Sequence, residues 1–424
     1  MHAFTFIFLF FLTAHVAVQL WLARRQIMHV SAARLSVPPP FAGAVTSQEH
    51  AKAADYTVAK QRLGMLEVAF DAAVLLWLTL GGGIARINVM VGMLDAPPLV
   101  SGTLLILAVF GSVAFLSLPF GIYRTFWLEQ RFGFNHTTPA VYAADLAKGW
   151  ALGVLLGGFV AACVLWIMSA LGDSWWLGGW LAWTAFTLLL TWAWPRLIAP
   201  LFNKFTPLED STLRSRIDAL LERCGFHTSG VFVMDGSRRS SHGNAYFTGL
   251  GREKRIVFFD TLVSRLAPPQ IESVLAHELA HFRLRHVPQR IVAGVIASLV
   301  GFALLGWLAR HAWFYSALGV PEASDAAALI LFVLAVPVFT WLLTPVMAAW
   351  SRRHEFQADE FAARHSNARS LAEALVALYR DNASTLTPDP VHSAFYDSHP
   401  PPAARIERLH ALLHTASSAA AGAS

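Results

Sequence analysis

Charge is what this sequence has least of. Only 14% of its 424 residues are charged, against about 25% in an ordinary soluble domain, while 55% are hydrophobic and the mean hydropathy is +0.49. One globule of this size cannot bury so much apolar surface, because core volume does not grow fast enough with chain length; a bilayer can take it. Cysteine is scarce as well. Cys163 and Cys224 are the only two, and neither stands in a paired metal or redox spacing, which excludes a disulfide scaffold. The composition also excludes disorder and collagen-like repeats. Interleaved basic and aromatic runs are missing too, so the pI of 9.4 does not point to nucleic acid.

What is present is apolar sequence in blocks. A crossing helix needs about 20 mainly apolar residues, and seven such stretches run approximately over 4–22, 64–84, 99–120, 149–171, 174–195, 291–309 and 326–349. None contains Lys or Arg, and the only acids inside them are Glu67 and Asp71 in the second. These two either line an interior cavity or fall in a first cytoplasmic turn, where they suit the helix dipole. The first stretch has no basic segment ahead of it, and Arg24 and Arg25 follow it, so it reads as an anchor with the N-terminus outside. The positive-inside rule agrees: alternate loops and the C-terminal tail hold 30 of the 32 Lys and Arg residues, the opposite loops 2. Tryptophans at both ends of the fifth stretch fit aromatic belts or helix packing, and Pro337 and Pro345 should kink the seventh.

The expected organisation is a membrane domain over 1–199 with a long cytoplasmic loop at 23–63, a cytoplasmic catalytic segment over 200–289, two more spans over 290–350, and a cytoplasmic segment over 351–424, disordered from about 415. Residues 211–225 read as an amphipathic helix opened by a Ser or Thr cap and ended by Gly225. GVFVMD (230–235), NAYFTG (244–249) and RIVFFD (255–260) read as short strands of a small sheet.

The chemistry concentrates at His277, Glu278 and His281, an H-E-x-x-H within an amphipathic helical stretch. Residues four apart share a helix face, so both imidazoles can reach one zinc ion, with Glu278 beside the open position as a base. A catalytic zinc takes a third protein ligand. A third histidine six residues on, with a glycine between, is ruled out: the next is His286, five residues on in HFRLRH. A distant glutamate is available in Glu355, just past the seventh span. The chain crosses the membrane twice between His281 and Glu355, which returns both to one side. Asp359, four residues further on the same face, is placed to accept a hydrogen bond from a ligand imidazole. His354 competes as a ligand, but its helical position points about 100° from Glu355.

These residues and their surroundings resemble the integral-membrane zinc metallopeptidases of the CAAX prenyl protease 1 family. The blocks that carry the resemblance are KAADYTVAKQR (52–62), RFGFNHTTP (131–139), FNKFTPLED (202–210), VMDGSRRSSHGNAYFTGL (233–250), HELAHFRLRH (277–286), EFQADEFA (355–362) and FYDSHPPPAARIERL (395–409). The resemblance implies seven transmembrane helices around a chamber, with a small α+β zincin-like catalytic domain on the cytoplasmic side. It implies one zinc ion held by His277, His281 and Glu355, with Glu278 as base, His399 and Arg405 stabilising substrate or transition state, and Asn244 and Ala245 on an edge strand that pairs with an extended peptide. Two departures, His354 and the extra Pro402, touch no ligand position.

The function expected is a membrane-embedded zinc endopeptidase acting near the cytoplasmic face on a peptide or membrane protein, prenylated or not. CAAX processing and removal of damaged membrane proteins are its two candidate roles. The rival from another class is a transporter or receptor whose zinc is structural, marked by a fourth protein ligand. Short loops and the lack of a retention or lipidation signal read as a bacterial inner membrane.

Overall fold

The computed structural model describes residues 2–248 and 255–421. Among them, six helical runs are long and apolar enough to cross a bilayer: Ala3–Ala32, Pro98–Glu129, Pro139–Ala170, Gly172–Phe202, His286–Leu308 and Asp325–His365. A seventh arises if a bent pair, Ser47–Leu78 and Gly83–Gly92 meeting at 54°, is one span. The bend falls in Gly81-Gly82-Gly83. Gly82 has φ +73, and a Cβ on Gly81 or Gly83 would sit within 2.9 Å of the Trp77 carbonyl oxygen, so larger residues could not make this reversal.

The second span differs from its expected limits. Its helix starts at Ser47, seventeen residues before the apolar stretch, because Thr46 and Glu49 form a reciprocal capping box. Much of the 23–63 loop is therefore helical. Glu67 and Asp71 lie in mid-helix, where no N-terminal dipole acts on them, and both Glu67 oxygens accept from Arg124 Nη2 at 2.6 and 2.7 Å. The last run is broken near Pro337 as expected, Asp325–Ala335 giving way to short turns over Pro337–Leu343, while Pro345 sits in the first turn of the helix Thr344–His365.

Four strands form one sheet in the order β1-β2-β4-β3: Phe205–Pro207, Gly230–Met234, Arg255–Phe259 and Ala245–Thr248. β2 and β4 run parallel, the other two pairs antiparallel. β1 is too short to announce itself in sequence, and Gly249 of the expected strand 244–249 lies outside the described residues. The helix Ser211–Arg223 is capped by Asp210, whose Oδ1 accepts from the amides of Thr212 and Leu213. The carboxylate reaches both orphan donors, so the expected Ser or Thr cap is not the one used. Gly225 ends it at φ +61.

Sheet, capped helix, the helix Pro268–Arg283 and the C-terminal helices share one core. Phe258, Ile217, Leu220, Leu279, Ala362, Leu371 and Leu409 are all buried in it. Segments far apart in sequence, on either side of the last two spans, thus close around a single hydrophobic centre. The last helix, Pro402–Ala421, continues past 415, where disorder was expected.

Candidate metal centre and active site

The helix Pro268–Arg283 buries most of its surface and presents His277 and His281 on one face. Thr344–His365 crosses it and carries Glu355 and Asp359 one turn apart, both buried. The two imidazole Nε2 atoms are 3.4 Å apart. Glu355 Oε2 is 3.4 Å from Nε2 of His277, and its Oε1 is 3.5 Å from Nε2 of His281. Bonds of 2.0–2.1 Å in tetrahedral geometry imply donor separations of about 3.3 Å, so these spacings, those to Glu355 each taken to its nearer oxygen, are of the size that zinc requires.

Charge and hydrogen bonding support that fit. Glu355 Oε2 is buried without a hydrogen bond of good geometry, although the imidazoles of His277 and His399 stand 3.4 Å away and Arg405 Nη2 3.7 Å, so it keeps capacity for a further positive group. Burial disfavours a charged His277, yet Asp359 and Glu355 outweigh it and raise the imidazole to about 9; the site attracts positive charge. Burial lowers His281 to about 3, keeping it neutral. Among the described residues, His277, His281 and Glu355 are the only such group of donors within 4.8 Å of one another.

Behind the candidate ligands, Asp359 Oδ1 sits 2.9 Å from Nδ1 of His277, holding a proton there and leaving Nε2 as the atom turned towards a metal. Arg405, itself buried, grips Asp359 with Nε to Oδ2 at 2.6 Å and Nη2 to Oδ1 at 2.7 Å. Burial opposes the guanidinium charge, but Asp359 outweighs it and holds Arg405 above its ordinary value. Its Nη2 remains 3.7 Å from Glu355 Oε2. His399 is exposed, with Nε2 3.4 Å from Glu355 Oε2, and Ser398 Oγ lies 3.0 Å from its Nδ1. Glu278 is half-buried on the same helix, and desolvation pushes its carboxyl upward.

Asn244 and Ala245 open β3 at the sheet margin. The amide of Phe259 donates to the Asn244 carbonyl, so the antiparallel alternation turns the backbone groups of Ala245 and Phe247 away from β4, towards the open edge. Two residues that sequence reasoning passed over also belong here. His286, set aside as a third ligand, lies with its Nδ1 3.1 Å from Nδ1 of His281, and Gln357 Oε1 lies 3.0 Å from Nε2 of His286. His354 is no ligand: its ring stacks on His286, centroids 3.9 Å apart.

Comparison with known proteins agrees with this architecture. Residues 26–204 match the family described as CAAX prenyl protease N-terminal, five membrane helices, and residues 207–413 match peptidase family M48. The chain is 37% identical to the CAAX prenyl protease 1 homolog of Arabidopsis thaliana, over 70% of this chain and 69% of that protein. It is 31% identical to CAAX prenyl protease 1 of Saccharomyces cerevisiae, over 94% and 93%. The crystal structure of S. mikatae Ste24p superposes with a TM-score of 0.89 at 29% identity, covering 96% of this chain and 99% of that one. Fold and site are those of a multi-span integral-membrane metalloprotease. The chain belongs to the CAAX prenyl protease 1 family of M48 peptidases, and the transporter or receptor reading is not favoured.

Proposed function

We propose that this protein is a one-zinc endopeptidase that cleaves an extended peptide laid along β3, at a site on the cytoplasmic side of the membrane. The observation that carries it is the convergence of His277, His281 and Glu355, with Nε2–Nε2 at 3.4 Å and one Glu355 oxygen 3.4 Å and the other 3.5 Å from the two imidazoles, one residue from Glu278. Zinc held there would supply Lewis acidity to the scissile carbonyl and to the attacking water. Glu278, its carboxyl raised by desolvation, takes the proton from that water and returns it to the leaving amine. His399 donates to the developing oxyanion from the exposed side. Arg405, committed to Asp359, serves by keeping Asp359 on His277. The open edge of β3 beside Asn244, through the outward main-chain groups of Ala245 and Phe247, holds substrate by main-chain hydrogen bonds.

The loop asymmetry of 30 basic residues against 2 favours an N-terminus outside, with the catalytic segments, the C-terminus and the site inside. The spans are read as surrounding a chamber that admits substrate, and the short loops favour a bacterial inner membrane as host. The names of the relatives, CAAX prenyl proteases, support a prenylated C-a-a-X peptide as one substrate class; clearance of damaged membrane proteins is the other. Purified protein incubated with a farnesylated C-a-a-X peptide and its unprenylated twin separates them: preference for the farnesylated peptide supports the first, equal cleavage the second. Glu278→Gln should lower either rate by about 10²–10⁴-fold; full chelator-sensitive activity in that variant would refute the mechanism.

A further inference from the structure

The two histidine ligands are oriented by unlike partners. His277 faces a carboxylate, Asp359, itself pinned by Arg405. His281 faces another imidazole. Its Nδ1 is 3.1 Å from Nδ1 of His286, and Nε2 of His286 is 3.0 Å from Gln357 Oε1. Only one proton fits between two facing nitrogens. Resting on the metal site proposed above, we infer that His286 and Gln357 are positioning residues that set the tautomer and ring plane of His281.

The assignment follows from counting protons. To ligate through Nε2, neutral His281 must carry its proton on Nδ1. His286 Nδ1 must then be the acceptor, which places the proton of neutral His286 on Nε2, and that atom faces an oxygen that can only accept. Read backwards, the Gln357 carbonyl selects the tautomer of His286, and His286 selects that of His281. The parallel ring of His354, 3.9 Å from His286 at 3°, fixes the plane of the middle member.

The backbone is shaped for this contact. On a continuous helix His286 would point about 140° away from His281. Instead the helix ends after Arg283, and Arg285 takes a left-handed conformation, φ 61 and ψ 27, uncommon for a residue with a side chain. The turn folds His286 back over the face carrying His281. Gln357 is exposed and lines, with His286 and His354, a cavity of about 500 Å³ on this side of the site.

The test uses full-length, metal-depleted protein titrated with Co²⁺, read by its visible absorption, with Zn²⁺ as competitor. His286→Phe keeps an aromatic ring against His354 but removes the acceptor. It should weaken Co²⁺ binding by about 10–100-fold and alter the absorption envelope. His286→Asn puts an acceptor oxygen near the former Nδ1 and should recover most of the affinity and the wild-type spectrum. Gln357→Met, at an exposed position, should give a smaller loss, and it decides the matter if His286→Phe does not fold. Wild-type affinity and spectrum in His286→Phe, or in Gln357→Met where His286→Phe does not fold, would overturn the relay. His281→Ala separates the two readings: unchanged Co²⁺ stoichiometry there would refute the metal site itself.

Discussion

Arg405 and Asp359, 46 residues apart, meet in a buried two-point clasp, Nε to Oδ2 at 2.6 Å and Nη2 to Oδ1 at 2.7 Å. The clasp ties the C-terminal helix to the helix that carries Glu355. Removing one partner leaves an unpaired charge in a site screened from water, which costs about 3–5 kcal/mol. Arg405→Met should therefore lower the thermal midpoint of the purified protein and weaken its hold on metal. The double variant Arg405→Met, Asp359→Leu should recover part of the stability but not the metal affinity.

Glu355 is buried between two imidazoles, its oxygens 3.4 and 3.5 Å from His277 and His281, so stripping the metal should be felt beyond activity. Prolonged chelation should lower the unfolding temperature, and zinc at 100 times its Kd should return about 2.7 kcal/mol. A melting curve with and without chelator measures it; coincident curves would contradict the site.

The outward amide of Ala245 donates to Asn244 Oδ1 at 2.8 Å and is expected to exchange that partner for substrate backbone when a peptide pairs with β3. Ala245→Pro deletes that donor at an edge position where the β3–β4 ladder does not use it. One hydrogen bond is worth about 0.5–1.5 kcal/mol, so kcat/KM should fall by roughly two- to tenfold, with a small drop of the melting curve from the lost contact to Asn244. A steady-state assay on a peptide, run beside a thermal melt, distinguishes this from a folding defect.

Ile217 is fully buried in the core shared by the sheet and the C-terminal helices. Ile217→Ala should cost about 2–5 kcal/mol, seen as early unfolding on heating. At low temperature activity should persist, since no site residue moves.

Most of the site was legible because its chemistry follows local rules. Residues four apart share a helix face, which is enough to pair His277 with His281 and Glu355 with Asp359. The positions of the spans followed from apolar length alone. What escaped depended on events the periodicity does not carry. The second helix began early because a capping box at Thr46 and Glu49 starts it. His286 was set aside for its spacing, five residues after His281 with no glycine between, and the reversal at Arg285 that folds it back leaves no mark in the periodicity. Gln357 gave no signal, since a glutamine on a helix surface is ordinary until a neighbour needs its oxygen. Arg405 was found by resemblance, but its commitment to Asp359 needed the tertiary fold.

The helix Thr344–His365 has 22 residues and no interruption after its second position, Pro345, making it a rod of about 33 Å. Its first turns belong to the last span, and its far half carries Glu355, Gln357 and Asp359. Spanning helices tilt to match the thickness of the surrounding hydrocarbon, and a stiff rod passes that tilt to whatever is fixed at its end. Metal donors tolerate only about 0.2 Å of displacement. The lipid bilayer is therefore a mechanical parameter of this active site, and catalytic rate measured across vesicles of graded acyl-chain length should pass through an optimum.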